Sequence, residues 1–199
     1  KNRNDAARST GVSRSVGAIA AQIFAMGTVE VADFIERILR ECSTIENMAA
    51  LDPQPEAAEW QAFVAYASAS PTAECANALG SCYYCGVGVA EDSEEAVRCF
   101  RRAADQGHAL AQCKLGWCYE IGDGVAGDMH AAIRLYRLAA AQHQPRAEFN
   151  LGMCYDKGEC VNQDSEEAVR LFRLAAGHGH EDAVSVLRRL NMPLVIPEP

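Results

Sequence analysis

Cysteines and histidines are the first residues of this chain whose types and spacing could do chemistry. Nine cysteines occur in 199 residues, at Cys42, Cys75, Cys82, Cys85, Cys99, Cys113, Cys118, Cys154 and Cys160. Cys82-Tyr83-Tyr84-Cys85 is a CxxC, a spacing that holds zinc or exchanges disulfides. Zinc needs four ligands, and neither a second CxxC nor a histidine pair at suitable spacing accompanies it. His178-Gly179-His180-Glu181-Asp182 has the look of a metal-binding run when read alone. The glycine loops Gly86-Val87-Gly88-Val89 and Gly122-Asp123-Gly124-Val125 lack the lysine of a phosphate-binding loop and follow helices rather than strands. Carboxylates are plentiful, but no histidine–serine or histidine–cysteine constellation joins them. No catalytic residue, metal ligand or cofactor is expected, and the chain is not read as an enzyme.

An odd number of cysteines cannot all pair within one chain. Secreted disulfide scaffolds are short and carry an even number at framework spacings. Free cysteine packs as a small hydrophobe, so a reducing intracellular compartment is expected, the cytoplasm first. The start at Lys1 rather than methionine implies a processed form or a fragment. Residues 1–15 carry Lys1, Arg3, Arg8 and Arg14 against one acid, Asp5, among small polar residues. That composition fits a solvated tail, with the remnant of an organellar targeting segment as the alternative.

Hydrophobic residues make up 49% and charged residues 23%, the balance of a folded soluble chain rather than a disordered one. Aromatics are only 7%, and abundant alanine favours closely packed helices. The net charge of -9 argues against a nucleic-acid partner, because affinity for phosphates comes from concentrated positive charge. No apolar run is long enough to insert into a membrane.

The elements that carry these residues repeat. Three blocks, 73–108, 109–144 and 145–180, align without a gap at a period of 36 residues. Leu79-Gly80 returns as Leu115-Gly116 and Leu151-Gly152; Tyr83 returns as Tyr119 and Tyr155. Gly86, Gly122 and Gly158 match, as do Val89, Val125 and Val161, then Asp92, Asp128 and Asp164. Phe100, Tyr136 and Phe172 precede the alanine pairs Ala103-Ala104, Ala139-Ala140 and Ala175-Ala176. Each block reads as two helices. The first places Ala76, Leu79, Cys82 and Tyr83 on one face, and Gly80 and its equivalents let the neighbouring helix approach closely. The second begins at a capping acid, as in Asp92-Ser93-Glu94-Glu95 and Asp164-Ser165-Glu166-Glu167. The third loop departs, with Cys160 in place of the second glycine, so its second bend is expected to be made differently. Cys82 recurs as Cys118 and Cys154, which marks a packing position. His180 recurs as His108 at the turn between blocks, which marks a turn residue rather than a ligand.

The expected organisation is therefore a tail or packing helix over 1–27, a degenerate helical pair over 28–72, and a repeat domain over 73–190. A capping helix, 181–190, closes that domain, and a proline-rich tail follows at 191–199. Within 28–72, Val29 to Leu51 is amphipathic, and Trp60, Val64 and Ala67 stand 36 residues before Ala96, Phe100 and Ala103. Repeat arrays need atypical ends because an ordinary unit there would expose its core face.

On these residues the chain resembles the Sel-1-like repeat family, relatives of the tetratricopeptide repeats. The motif is alanine, then leucine-glycine, tyrosine, two glycines and valine, then aspartate, alanine, an aromatic and the alanine pair. The resemblance implies an all-α fold, an α/α solenoid with a right-handed superhelical course, acting as an adaptor that assembles protein complexes. Secreted cysteine-rich bacterial members of that family pair cysteines within each repeat. At the positions that would need them this chain has Ala104 and Gln112, then Ala140 and Glu148, which sets it apart from that subfamily.

Apolar residues outside the shared set then have no obvious work in the core. Leu110, Cys113, Trp117 and Ile121 step along the other face of one first helix; Phe149 and Met153 occupy the positions of Cys113 and Trp117 in the next, and Tyr84 follows Asn77 and Ser81 in the block before. By the resemblance this face lines a concave groove, with Glu120, Arg146, Asp156 and Lys157 at its rim. Apolar anchors within a polar rim are the anatomy of a binding hot spot. The expected function is an adaptor or scaffold holding a protein or peptide partner there. The alternatives are a permanent subunit of a large assembly, or a bacterial-type secreted repeat protein that binds cell-wall precursors or β-lactams. The chain's own N-terminal segment or C-terminal tail could also cover the patch.

Overall fold

The computed structural model describes residues 57–193. The expectations for 1–27, for the helix Val29 to Leu51 and for the end of the proline-rich tail lie outside the described residues. Every regular element among the described residues is helical. The chain divides into two compact units, Lys1–Asp92 and Ser93–Pro199.

In the first unit, α1 (Ala57–Ala69) packs on α2 (Ala73–Cys85). Trp60, Phe63 and Ala67 of α1 are buried, with Trp60 and Phe63 meeting edge to face at 6.2 Å. Thr72 caps α2 by accepting a bond from the Cys75 amide, as its short hydroxyl side chain allows. Gly86 ends the helix in the left-handed region, φ 65, where the amides of Gly86 and Val87 both reach the Cys82 carbonyl. Gly88 is left-handed too, φ 70, and a β-carbon there would lie 2.5 Å from the Trp60 side chain. The loop needs glycine at that point for conformation and for space.

The second unit holds α3 (Ser93–Ala104), α4 (Ala109–Ile121), α5 (Met129–Ala140), α6 (Pro145–Lys157), α7 (Ser165–Gly177) and α8 (Glu181–Arg189). Each packs on the next, the sequential neighbour pattern of an α/α solenoid. The helix pairs are cemented by one buried cluster: Cys113 of α4, Ala132, Ile133, Tyr136 and Ala139 of α5, Ala147, Leu151 and Cys154 of α6, and Leu171 of α7. A second cluster joins Ala168 and Phe172 of α7 to Leu187 of the terminal helix α8.

The leucine-glycine pair explains the tightness of this packing. A β-carbon on Gly116 would stand 2.7 Å from the Tyr136 ring, and one on Gly152 would stand 2.7 Å from the Phe172 ring. The repeated tyrosine has a second role that its spacing does not disclose. Arg101 of α3 donates to the Tyr119 hydroxyl at 3.0 Å, and Arg137 of α5 donates to Tyr155 at 3.1 Å. Each second helix thus clips the first helix of the following repeat. Asp128 caps α5, and Asp164 caps α7 by accepting from the amides of Glu166 and Glu167. Glu167 turns away from the reciprocal capping bond and pairs with Arg170 at 2.7 Å.

The third loop corrects one expectation. Cys160 takes φ 55, close to the φ 70 and φ 66 of Gly88 and Gly124, so the second bend keeps the same left-handed form on a non-glycine residue.

Candidate functional site

The first helix of the second repeat, α4, has two faces of opposite character. Ala111, Leu115 and Cys118 are buried. One turn apart on the other side, Trp117 is 44% exposed and Ile121 is 48% exposed. Large apolar side chains left to water carry an unfavourable hydration cost that only a covering surface removes. Leu110, at the start of the same stripe, is half-buried. On α6, Phe149 and Met153 are half-buried and lean on the cluster of Ala168, Phe172 and Leu187. Phe149 stacks on His180 at 4.6 Å and tilts against Phe172 at 5.6 Å. Tyr84 is a half-buried residue of the first unit, near the end of α2.

Two of the expected contact residues are committed inside the fold. Cys113 is only 3% exposed and belongs to the central cluster, so the expectation that apolar residues outside the shared set lack a packing role fails there. It faces Tyr136, whose bulk fills the space that Gly116 leaves. Glu120 accepts a 2.6 Å hydrogen bond from the Tyr136 hydroxyl. Burial raises the Tyr136 pKa, and the Glu120 carboxylate beside it raises it further, so the phenol stays a donor. Arg146, Asp156 and Lys157 are exposed, and Lys157 stands 3.6 Å from Glu159.

Buried thiols explain the cysteines. Desolvation pushes Cys113 and Cys154 up to about 12 and Cys118 up to about 11, which keeps them protonated and unreactive at neutral pH. Cys75, Cys99, Cys113, Cys118 and Cys154 are buried free thiols and Cys160 is an exposed one; Cys82 is buried and Cys85 half-buried.

Polar residues at the non-repeating positions form contacts that spacing along the chain did not reveal. Gln112 takes a bond from Gln142, 30 residues on, at 2.9 Å and donates to the Ala104 carbonyl. One repeat later, Glu148 and His178 repeat the relation, with Glu148 Oε2 and His178 Nδ1 2.8 Å apart. The signal for both was the pair of polar residues, Gln112 and Glu148, where small apolar residues would also fit. His180 sits at the N-terminal cap position of α8, the turn role expected of it, though its side chain makes no capping bond. Burial against Phe149 lowers its pKa.

The model of the Sel1 repeat matches residues 73–108, 109–143 and 145–180. No curated protein sequence matches the chain. Among solved structures, a Sel1 repeat protein from Oxalobacter formigenes is similar, with 32% identity and a TM-score of 0.60 over 64% of this chain and 52% of that one. The protective antigen c5321 of uropathogenic Escherichia coli, which displays an SLR fold, is 25% identical with a TM-score of 0.61, over 69% of this chain and 29% of that one. The chain thus spans about half the length of the first and under a third of the second. No helix among the described residues is long and apolar enough to cross a membrane. Three matched repeats over more than half the sequence, built as helix pairs locked by the leucine-glycine and aromatic positions, make this chain a member of the Sel1 repeat family.

Proposed function

We propose that the chain is a protein-interaction adaptor that holds its partner against the groove-lining face of its first helices, the side of α4 that carries Trp117 and Ile121. The observation that carries this reading is the exposure of Trp117 and Ile121, one turn apart on a helix whose opposite side is packed. Leu110, Phe149 and Met153 extend the apolar surface, and Arg146, Asp156 and Lys157 supply charged groups around it. Binding needs no chemistry on this reading. A rigid helical scaffold presents an aromatic anchor already ordered, so little side-chain entropy is lost on association. The complementary partner offers a small apolar pocket for the indole, with polar groups that meet both signs of charge.

The test is affinity capture with the wild-type chain and Trp117→Ala side by side, followed by titration of the captured partner in purified form. A central tryptophan is worth about 2 kcal/mol or more, so the variant should bind about 30-fold more weakly with unchanged helicity. An unchanged affinity would place the contact elsewhere and favour a permanent subunit held through a different surface.

A further inference from the structure

We propose that His143, Glu148 and His178 form a binding site for one divalent transition-metal ion, with zinc as the fitting ion. One ring nitrogen of each histidine and one carboxylate oxygen of Glu148 lie within 4.8 Å of one another. Glu148 is 1% exposed, yet its two oxygens are treated unequally. Oε2 lies 2.8 Å from His178 Nδ1, whereas Oε1 has no hydrogen-bond partner, with His143 Nδ1 4.0 Å away. A buried carboxylate with an unsatisfied oxygen is costly, and a cation held between it and two imidazoles removes that cost.

The backbone at His143 adds a second, independent observation. His143 occupies the position of Gly107 and Gly179, both left-handed at φ 85 and φ 91, and it keeps that conformation at φ 59. Glycine adopts it freely; a histidine there carries strain that glycine avoids. The strained residue is the one that aims an imidazole at the unsatisfied oxygen.

The required movement is small. Zinc at 2.0–2.2 Å from nitrogen and oxygen ligands in a tetrahedron sets those ligands about 3.4 Å apart. The three ligand atoms, one from each residue, already lie within 4.8 Å of one another, so no pair need shift by more than about 1.4 Å to reach that spacing. Both imidazoles are exposed, and their rings lie 5.3 Å apart, so side-chain rotation supplies it. Metal at His178 Nδ1 takes that nitrogen's lone pair, so a neutral ring carries its hydrogen on Nε2, moved there through solvent, and an imidazolium gives up its Nδ1 proton to solvent. Two histidines and a glutamate leave one tetrahedral position for water. Beside it, His143 and Glu148 line a cleft of about 390 Å³ with Arg137, Tyr155 and Arg170.

The test is titration of the full, reduced chain with Zn²⁺ and with Co²⁺, comparing the wild type with His143→Gly and Glu148→Gln. His143→Gly restores the glycine of the other two repeats, so it should fold at least as well. The wild type should take up one ion per chain, give the ligand-field spectrum of nitrogen and oxygen donors, and melt at a higher temperature with Zn²⁺. Each variant should bind about 100-fold more weakly, at the upper end of what losing a metal-supporting group costs. Equal affinity in wild type and His143→Gly, a sulfur-to-cobalt charge-transfer band marking a cysteine site, or no uptake at all would each overturn the proposal.

Discussion

Replacing Gly116 by alanine tests how the repeat motif holds its helices together. The added β-carbon would stand 2.7 and 3.0 Å from two carbons of the Tyr136 ring and 3.3 Å from the Ala132 carbonyl oxygen. Carbon atoms pack best at about 3.5–4.0 Å, so the ring must withdraw by most of an ångström. It is fully buried, and its hydroxyl is tied to Glu120 at 2.6 Å. Overpacking costs about 1–3 kcal/mol, and breaking a hydrogen bond to a charged group costs about 1.5–3 kcal/mol. Alanine recovers about 1 kcal/mol of helix propensity. The expected net loss is about 1.5–5 kcal/mol. Gly152→Ala is the internal control, because it meets the Phe172 ring at 2.7 Å with no hydroxyl to displace, and half-buried Phe149 beside that ring can yield. Its loss should be only about 0–2 kcal/mol. Urea unfolding followed by circular dichroism measures both. Combining Gly116→Ala with Tyr136→Phe should cost less than the two separate losses together, since both remove the same bond. A Gly116→Ala protein as stable as wild type, or more stable as helix propensity alone requires, would refute the close-approach argument.

Asp164→Ala removes a side chain that accepts from two amides of the first turn of α7 and should cost about 1 kcal/mol in the same urea assay. Alkylation at pH 8, mapped by mass spectrometry, should modify exposed Cys160 first and leave Cys113 and Cys154 until last. Thiols pushed up to about 12 present roughly one thiolate in 10⁴ at that pH. His180 has a folded pKa below its unfolded value, so the unfolded chain binds more protons as pH falls through about 6.5. Its contribution to stability should therefore be present at pH 7.5 and be lost toward pH 5. Melting curves of His180→Asn, whose side chain does not titrate, should show a weaker loss over that window than the wild type.

The fold was legible because its rules are local and repeat. Leu115-Gly116 and Leu151-Gly152 announced a close approach, and the structure supplies Tyr136 and Phe172 as the rings that need it. Asp164 announced a cap, and the amides of Glu166 and Glu167 complete it. The bend at Cys160 was misjudged because substitution of a glycine suggests a change of backbone, whereas the surrounding loop holds the left-handed form. The role of Cys113 was misjudged for a different reason. Its position faces away from the shared core face by sequence pattern, but it is buried in one cluster with side chains of α5, α6 and α7 from the following helices. Adjacency along the chain groups His178 with His180, whereas the fold pairs His178 with Glu148 at a separation of 30 residues. That separation depends on how far the end of a second helix returns along the first, which no spacing rule within a single helix contains.

The central claim is that Trp117 and its neighbours meet another protein rather than a part of this chain. A photo-crosslinking amino acid at position 117 tests it most directly, with exposed Arg134 of α5 as the control position. Irradiation in native extract should join position 117 to a separate chain, with no such product from position 134. Crosslinks from position 117 that map only to residues 1–56 or 194–199 of the same molecule would contradict the claim and make the patch a buried surface of the chain itself.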